Sequence, residues 1–225
     1  MTIALIPVKR LEESKSRLLP QLPDARRQAL TLAMLEDLIE SLSKTTGIDR
    51  IAVTTPDPVV AEHARRAGAE ILMREEPGLN GALEDGRERL KPATGEGFLI
   101  VLGDVAGAQS TDFEKMLEAG AKSEAPCVWL APSSDGGTSA LLQYPATAIS
   151  CCFGRESASR HRAAAEAANV AYHEIELDSL LIDLDQPEDL DAFLETKTGG
   201  RRTRALLEGA PNENPASANP ASKVK

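Results

Sequence analysis

The sequence predicts an α/β protein: a Rossmann-like three-layer α/β/α sandwich built on a mainly parallel, mixed sheet. Three observations predict it. Apolar runs of strand length alternate with segments of helical periodicity up to about residue 130. The run Gly97-Phe98-Leu99-Ile100-Val101-Leu102 is apolar almost throughout, as suits a central strand covered on both faces. Aromatic residues make up only 3% of a chain that is 42% hydrophobic, so the core between the layers must be aliphatic.

Taken in order, residues 3–8 form the first strand. Asp24 caps a helix running to about Lys44, in which Leu35, Leu38, Ile39 and Leu42 recur at helical spacing. Residues 50–55 form a second strand ended by Pro56-Asp57-Pro58, residues 59–67 a helix stopped at Gly68, and residues 70–73 a third strand. A Pro77-Gly78 turn precedes a helix over 79–90, and the apolar strand follows. Ser110 or Thr111 starts the next helix, with Thr111 and Glu114 fitting a capping box, and residues 126–130 form a strand. The alternation then breaks. Residues 138–142 and 148–153 read as short strands, 155–169 as an alanine-rich helix, 170–177 and 181–184 as strands, and 187–195 as a helix with Pro187 in its first turn. From about Thr196, Gly, Pro, Ala, Ser and Asn dominate. The expected organisation is a domain over 1–195 followed by a disordered tail over 196–225.

A formal charge of −10 argues against nucleic acid as a partner, since that interaction wants a basic surface. Cys127, Cys151 and Cys152 show no metal-ligand spacing and suit buried thiols of a reducing compartment. The opening apolar run is too short for a signal peptide, and no segment approaches a membrane span. The expectation is a cytoplasmic protein with no membrane partner; a homodimer is left open.

The first stretch with chemistry in it is Ile6-Pro7-Val8-Lys9-Arg10-Leu11-Glu12-Glu13-Ser14-Lys15-Ser16-Arg17-Leu18, a strand that runs into a basic loop. Such loops hold nucleotide phosphates. Lys9, Lys15 and Arg17 are the candidates, with Arg10 set aside as helix surface. No Walker pattern and no G-x-G-x-x-G follows any strand, which excludes a P-loop ATPase and a standard dinucleotide-binding dehydrogenase. Asp104 stands just past the apolar strand, where ligands of open α/β sheets bind. Asp183 and Asp185, one residue apart on an expected strand, would share a face. With Asp104 they suit Mg2+, which takes carboxylates together with substrate phosphates. Ser134-Asp135-Gly136-Gly137-Thr138 and Phe153-Gly154-Arg155-Glu156-Ser157 each offer donors for a second phosphate, and His161 stands one helical turn past Ser157. Asn80, after Glu76-Pro77-Gly78-Leu79, either caps a helix or meets a base edge.

These motifs occur together, in order: IPVKRLEESKSRL, GLNGAL over 78–83, DGGTSALL over 135–142, FGRESASRH over 153–161 and LIDLDQPEDL over 181–190. In this the chain resembles the CofC/FbiD guanylyltransferases of deazaflavin coenzyme F-420 biosynthesis, over about residues 2–195. Members of that family transfer GMP from GTP to 2-phospho-L-lactate, phosphoenolpyruvate or 3-phosphoglycerate, on a fold of nucleotide-diphospho-sugar transferase type. The resemblance implies that Lys15 and its basic neighbours contact GTP phosphates and that Asp104, Asp183 and Asp185 bind magnesium. It implies that Thr138, Gly154 and Ser157 hold the small acid, and it places Pro77 and Asn80 at the nucleotide-base loop. The chain departs from the family at Asp104-Val105-Ala106, where Asp-Leu-Pro is usual, at Ser139, where Asn is common, and at Ala158, where Phe is usual.

The expected reaction is attack by the acid's phosphate on the α-phosphorus of GTP, with pyrophosphate leaving. Two alternatives remain at this stage. One is a metal-dependent glycosyltransferase of similar fold, disfavoured because Trp129, Tyr144 and Tyr172 are few and scattered. The other is a degenerate homologue that binds GTP without turnover.

Overall fold

The computed structural model describes residues 1–18, 22–74 and 78–209. Pro77 and residues 210–225 lie outside this range. Among the described residues seven strands form one sheet: β1 (Thr2–Pro7), β2 (Arg50–Thr55), β3 (Glu70–Met73), β4 (Gly97–Val101), β5 (Cys127–Pro132), β6 (Thr138–Tyr144) and β7 (Ala171–Glu174). The helices are α1 (Asp24–Ser43), α2 (Pro58–Arg66), α3 (Leu79–Leu90), α4 (Ser110–Lys122), α5 (Ser157–Ala167), α6 (Pro187–Thr196) and α7 (Arg201–Glu208). The strand order is β3-β2-β1-β4-β6-β5-β7. Only β6 runs antiparallel to its neighbours, so the sheet is mainly parallel, as expected.

Alternation along each strand divides the core. Ala4 and Ile6 on β1, with Leu99 and Val101 on β4, pack under α1, α2 and α4. Ile3 and Leu5, with Phe98 and Ile100, pack under α3 and α5. Both faces of the sheet are thereby covered, which is why β4 is apolar on both sides. A third cluster joins Leu30 and Met34 of α1 to Leu190 and Phe193 of α6, with Leu206 and Leu207 of α7 packed against it. Among the described residues no helix is long and apolar enough to cross a membrane.

Several expected elements need correction. Residues 148–153 form a loop, not a strand. Its amides are taken by side chains rather than by a neighbouring strand: Ile149 by Gln143, Cys151 by Glu84, Cys152 by His161 and Phe153 by Asn80. Residues 181–184 contribute only an isolated bridge between Asp183 and Val105. Thr111 forms no capping box; α4 starts after Gln109, and Glu114 accepts the Thr46 amide instead. Asp24 is the first residue of α1 and pairs with Arg27 rather than capping the helix.

The domain boundary expected at residue 195 is too early, because ordered chain continues as α7 through Glu208. Thr203 is fully buried there, its amide and hydroxyl both donating to the Asp37 carboxylate of α1 at 2.9 Å. Arg202 adds a bond to the same carboxylate at 3.1 Å. Gly199 and Gly200, both at positive φ, lie so close to the Ala106 and Gly107 carbonyls that a Cβ would overlap them.

Candidate active site

The chain leaves β1 and β4 at the same sheet edge. From β1 the sheet grows through β2 and β3 on one side and through β4 on the other. A crevice forms outside the carboxyl ends of strands at such a switch point. A cavity of about 440 Å³ opens there, lined by Val8, Lys9, Arg10, Lys15, Thr55 and Asp185 among others. A second, of about 130 Å³, is lined by Ser133, Asp135, Thr138, Gly154, Ser157 and Asp183. Leu79, Leu102 and Asp104 line both, so the two cavities share a wall with one carboxylate in it. Gly103 lets the turn into Asp104 pass close to β1: a Cβ there would stand 3.1 Å from the Pro7 carbonyl oxygen.

Lys15 is 7% exposed, and its Nζ lies 3.7 Å from Asp104 Oδ2. Its backbone is left-handed, with φ of 54°. That conformation costs a lysine roughly 1–2 kcal/mol and is held from behind by Arg27, a buried guanidinium of α1 that donates to the Ser14 carbonyl. Lys9 and Arg10 are exposed side chains on the larger cavity. Arg17 is exposed and bonded to Asp185 at 2.6 Å.

The three aspartates are not gathered into one cluster. Without a strand over 181–184, Asp183 and Asp185 do not share a face: Asp183 lines the smaller cavity, and Asp185 lines the larger and is held by Arg17. Among the described residues no group of three His, Cys, Asp or Glu side chains is close enough to hold a metal ion. Asp104 and Asp183 do fit a cation as a pair. Asp104 Oδ1 is buried without a hydrogen-bond partner. Burial, and then the Asp104 charge, push the Asp183 carboxyl up to about 6. Both are signs of carboxylates short of positive charge.

On the smaller cavity, Thr138 and Ser157 meet: the Ser157 hydroxyl donates to Thr138 Oγ1 at 2.8 Å. Gly154, with φ of 120°, supplies a backbone conformation that side-chain-bearing residues rarely adopt. Asp135 is kept below the usual carboxylate range by the Ser133 hydroxyl, and also by the Gly137 amide, despite partial burial. Asn80 does not line either cavity. Its amide nitrogen donates to the Phe153 carbonyl at 3.1 Å and its oxygen accepts the Phe153 amide at 2.8 Å, tying α3 to the loop before Gly154.

Sequence reasoning missed several residues. Arg10, set aside earlier, lines the larger cavity, as does Arg74, which follows β3 at the same sheet edge, donates to the Gly81 carbonyl and lies 3.9 Å from Asp85. The signal for Arg74 was available: a basic residue directly after a parallel strand. Asp135 was visible only as part of a glycine turn, and Ser133, just before that turn, was not singled out. Nothing in the sequence marked Arg27, which acts through Ser14. Among the described residues that line the two cavities, none is aromatic.

Comparisons with known proteins identify the family and the fold. A phosphoenolpyruvate guanylyltransferase of Sphaerobacter thermophilus is 34% identical over 191 residues, covering 84% of this chain and 91% of that one. A 3-phospho-D-glycerate guanylyltransferase of Colwellia psychrerythraea is 31% identical, covering 84% and 90%. A 2-phospho-L-lactate guanylyltransferase of Methanothermobacter thermautotrophicus is 32% identical, covering 86% and 84%. Among solved structures, a protein of Desulfovibrio desulfuricans described as a nucleotide-diphospho-sugar transferase superposes with a TM-score of 0.76 at 15% identity, covering 92% of this chain and 94% of that one; it shows the fold alone. The sequence profile of guanylyl transferase CofC-like proteins matches residues 2–208, through the end of α7. The glycosyltransferase alternative is not favoured by these matches. The chain is a nucleotidyltransferase, and it belongs to the CofC-like guanylyl transferase family.

Proposed function

We propose that the protein transfers GMP from GTP to a small phosphorylated acid, with the triphosphate in the larger cavity and the acid in the smaller. The observation that carries this is the shared wall: Asp104, paired with Lys15, borders both cavities, so two ligands would meet beside it. An acceptor phosphate oxygen forms a bond to the α-phosphorus of GTP while the bond to the β-phosphate oxygen breaks, and pyrophosphate leaves. That oxygen is already anionic near neutral pH, so no general base is required. Catalysis is then alignment and charge neutralisation. Lys15, buried and fixed, stabilises the departing phosphates, and Lys9 and Arg10 extend the positive surface. Asp104 and Asp183 are the residues that would hold magnesium. A magnesium ion bound there supplies further charge neutralisation to the triphosphate.

The acid is phosphoenolpyruvate, 3-phosphoglycerate or 2-phospho-L-lactate, the acceptors in the names of the relatives, and the product feeds deazaflavin coenzyme assembly as in the family the sequence resembles. Thr138 supplies a hydroxyl group to an anionic end of the acid, the Ser157 hydroxyl holds Thr138 by donating to its Oγ1, and the Gly154 turn leaves room for the acid. The test is pyrophosphate release with GTP, magnesium and each acid in parallel. Release with one acid supports the reading. GTP binding with no release for any of them overturns it in favour of a non-catalytic homologue.

A further inference from the structure

His161 is completely buried on α5 and has no part in the reaction so far. Its ring Nε2 receives the Cys152 main-chain amide at 2.9 Å. An amide donates only to a lone pair, so Nε2 carries no hydrogen. Burial, with the nearby Arg160 charge, holds the imidazole down to about 4, and the neutral ring therefore carries its hydrogen on Nδ1. Nδ1 lies 3.2 Å from Thr138 Oγ1. The Ser157 hydroxyl donates to the same Thr138 oxygen.

A threonine hydroxyl has two lone pairs and one hydrogen. With His161 and Ser157 occupying the lone pairs, the hydrogen is left for a third partner, and Thr138 lines the smaller cavity. Without the Nδ1 hydrogen, the hydroxyl is free to turn its own hydrogen back towards the ring and to present a lone pair to the cavity, which an anion disfavours. We infer that His161 is a positioning residue, whose Nδ1 hydrogen fixes the Thr138 hydroxyl as a donor to an anionic oxygen of the acceptor. This rests on the reading of the smaller cavity as the acceptor site.

Two substitutions separate this role from a structural one. His161→Gln places an acceptor near the Nε2 position and keeps the Cys152 bond while losing the Nδ1 donor. His161→Asn places a donor near Nδ1 and loses the Cys152 bond. Steady-state kinetics with GTP and whichever of the three acids turns over are expected to show an acceptor KM about tenfold higher for His161→Gln, with the KM for GTP unchanged. His161→Asn is expected to stay within about threefold of wild type in acceptor KM, whatever it loses in melting temperature. In a Thr138→Val background, His161→Gln is expected to add nothing. An unchanged acceptor KM in His161→Gln, or a rise that persists in full in the Thr138→Val background, overturns the positioning role while leaving the acceptor site intact. An unchanged acceptor KM in Thr138→Val alone removes the acceptor site, and the inference with it. Should His161→Gln fail to fold, an acceptor KM raised tenfold in the folded His161→Asn protein decides against the role, and a wild-type value decides for it.

Discussion

A buried Lys15 and a half-buried Asp104 form an ion pair, with Nζ 3.7 Å from Oδ2, across the crevice between the ends of β1 and β4. The pair places a fixed positive charge at the wall between the cavities. Lys15→Ala is expected to lower kcat by about a hundredfold or more, as removal of a preorganised charge does, with a smaller effect on the KM for GTP. Pyrophosphate release measures this, and a wild-type rate would exclude the role.

Asp104 and Asp183 are short of positive charge in complementary ways, one by an unpartnered oxygen and one by a raised pKa. Chelation of magnesium is expected to abolish turnover. Asp104→Asn is expected to raise the magnesium concentration needed for half-maximal rate by at least tenfold. Titration of the metal against initial rate checks both.

Asn80 distinguishes two roles. As a contact to the base, its loss would raise the KM for GTP. As the clamp on Phe153, its loss should instead loosen the loop before Gly154. Asn80→Ala is expected to raise the acceptor KM more than that for GTP and to cost about 1–3 kcal/mol of stability. Kinetics with both substrates varied, together with urea unfolding, decide between them.

The buried His161 makes stability depend on pH in a defined window. Its pKa is depressed from an ordinary 6.5 to about 4 in the folded state. The unfolded chain therefore binds the proton first as pH falls. The stabilisation is fully present above about 6.5 and is lost progressively down to about 4, an effect of about 3 kcal/mol. Unfolding free energies at pH 7 and pH 4.5 are expected to differ more for wild type than for His161→Asn by about this amount.

The α7 contact is part of the fold. Asp37→Ala leaves the buried amide and hydroxyl of Thr203 without their acceptor. It is expected to cost about 3 kcal/mol, against about 1 kcal/mol for Thr203→Val, in urea unfolding at neutral pH.

The sheet was legible because its strands are apolar on a period that burial on both faces enforces. Residues 148–153 carried the same signal for a different reason. Ile149, Cys151 and Phe153 are buried at alternate positions, as in a strand, yet their amides are satisfied by side chains from β6 and α3. Side-chain pattern reports burial, and it does not report which partner takes the backbone. The helix α7 was invisible for the converse reason. It is anchored chiefly by polar contacts, through Thr203 to Asp37 and through Arg202 to Asp37, Glu36 and Glu40, and Leu206 and Leu207 alone are too few to mark an apolar stripe. The basic loop and Asp104 were legible as sheet-edge residues. The separation of Asp183 from Asp185 was not, because it depends on a single bridge to Val105.

The wall shared by the two cavities consists of Leu79, Leu102 and Asp104. Everything else on the acceptor side, Ser133, Ser139 and Gly154 included, belongs to that side alone. On the proposed reading, residues that choose the acid could therefore change without touching the GTP half, provided the partition stays. Substitutions within the 133–139 and 153–158 segments are then expected to change which acid is used and to leave the KM for GTP unchanged, in keeping with relatives whose names differ only in the acid.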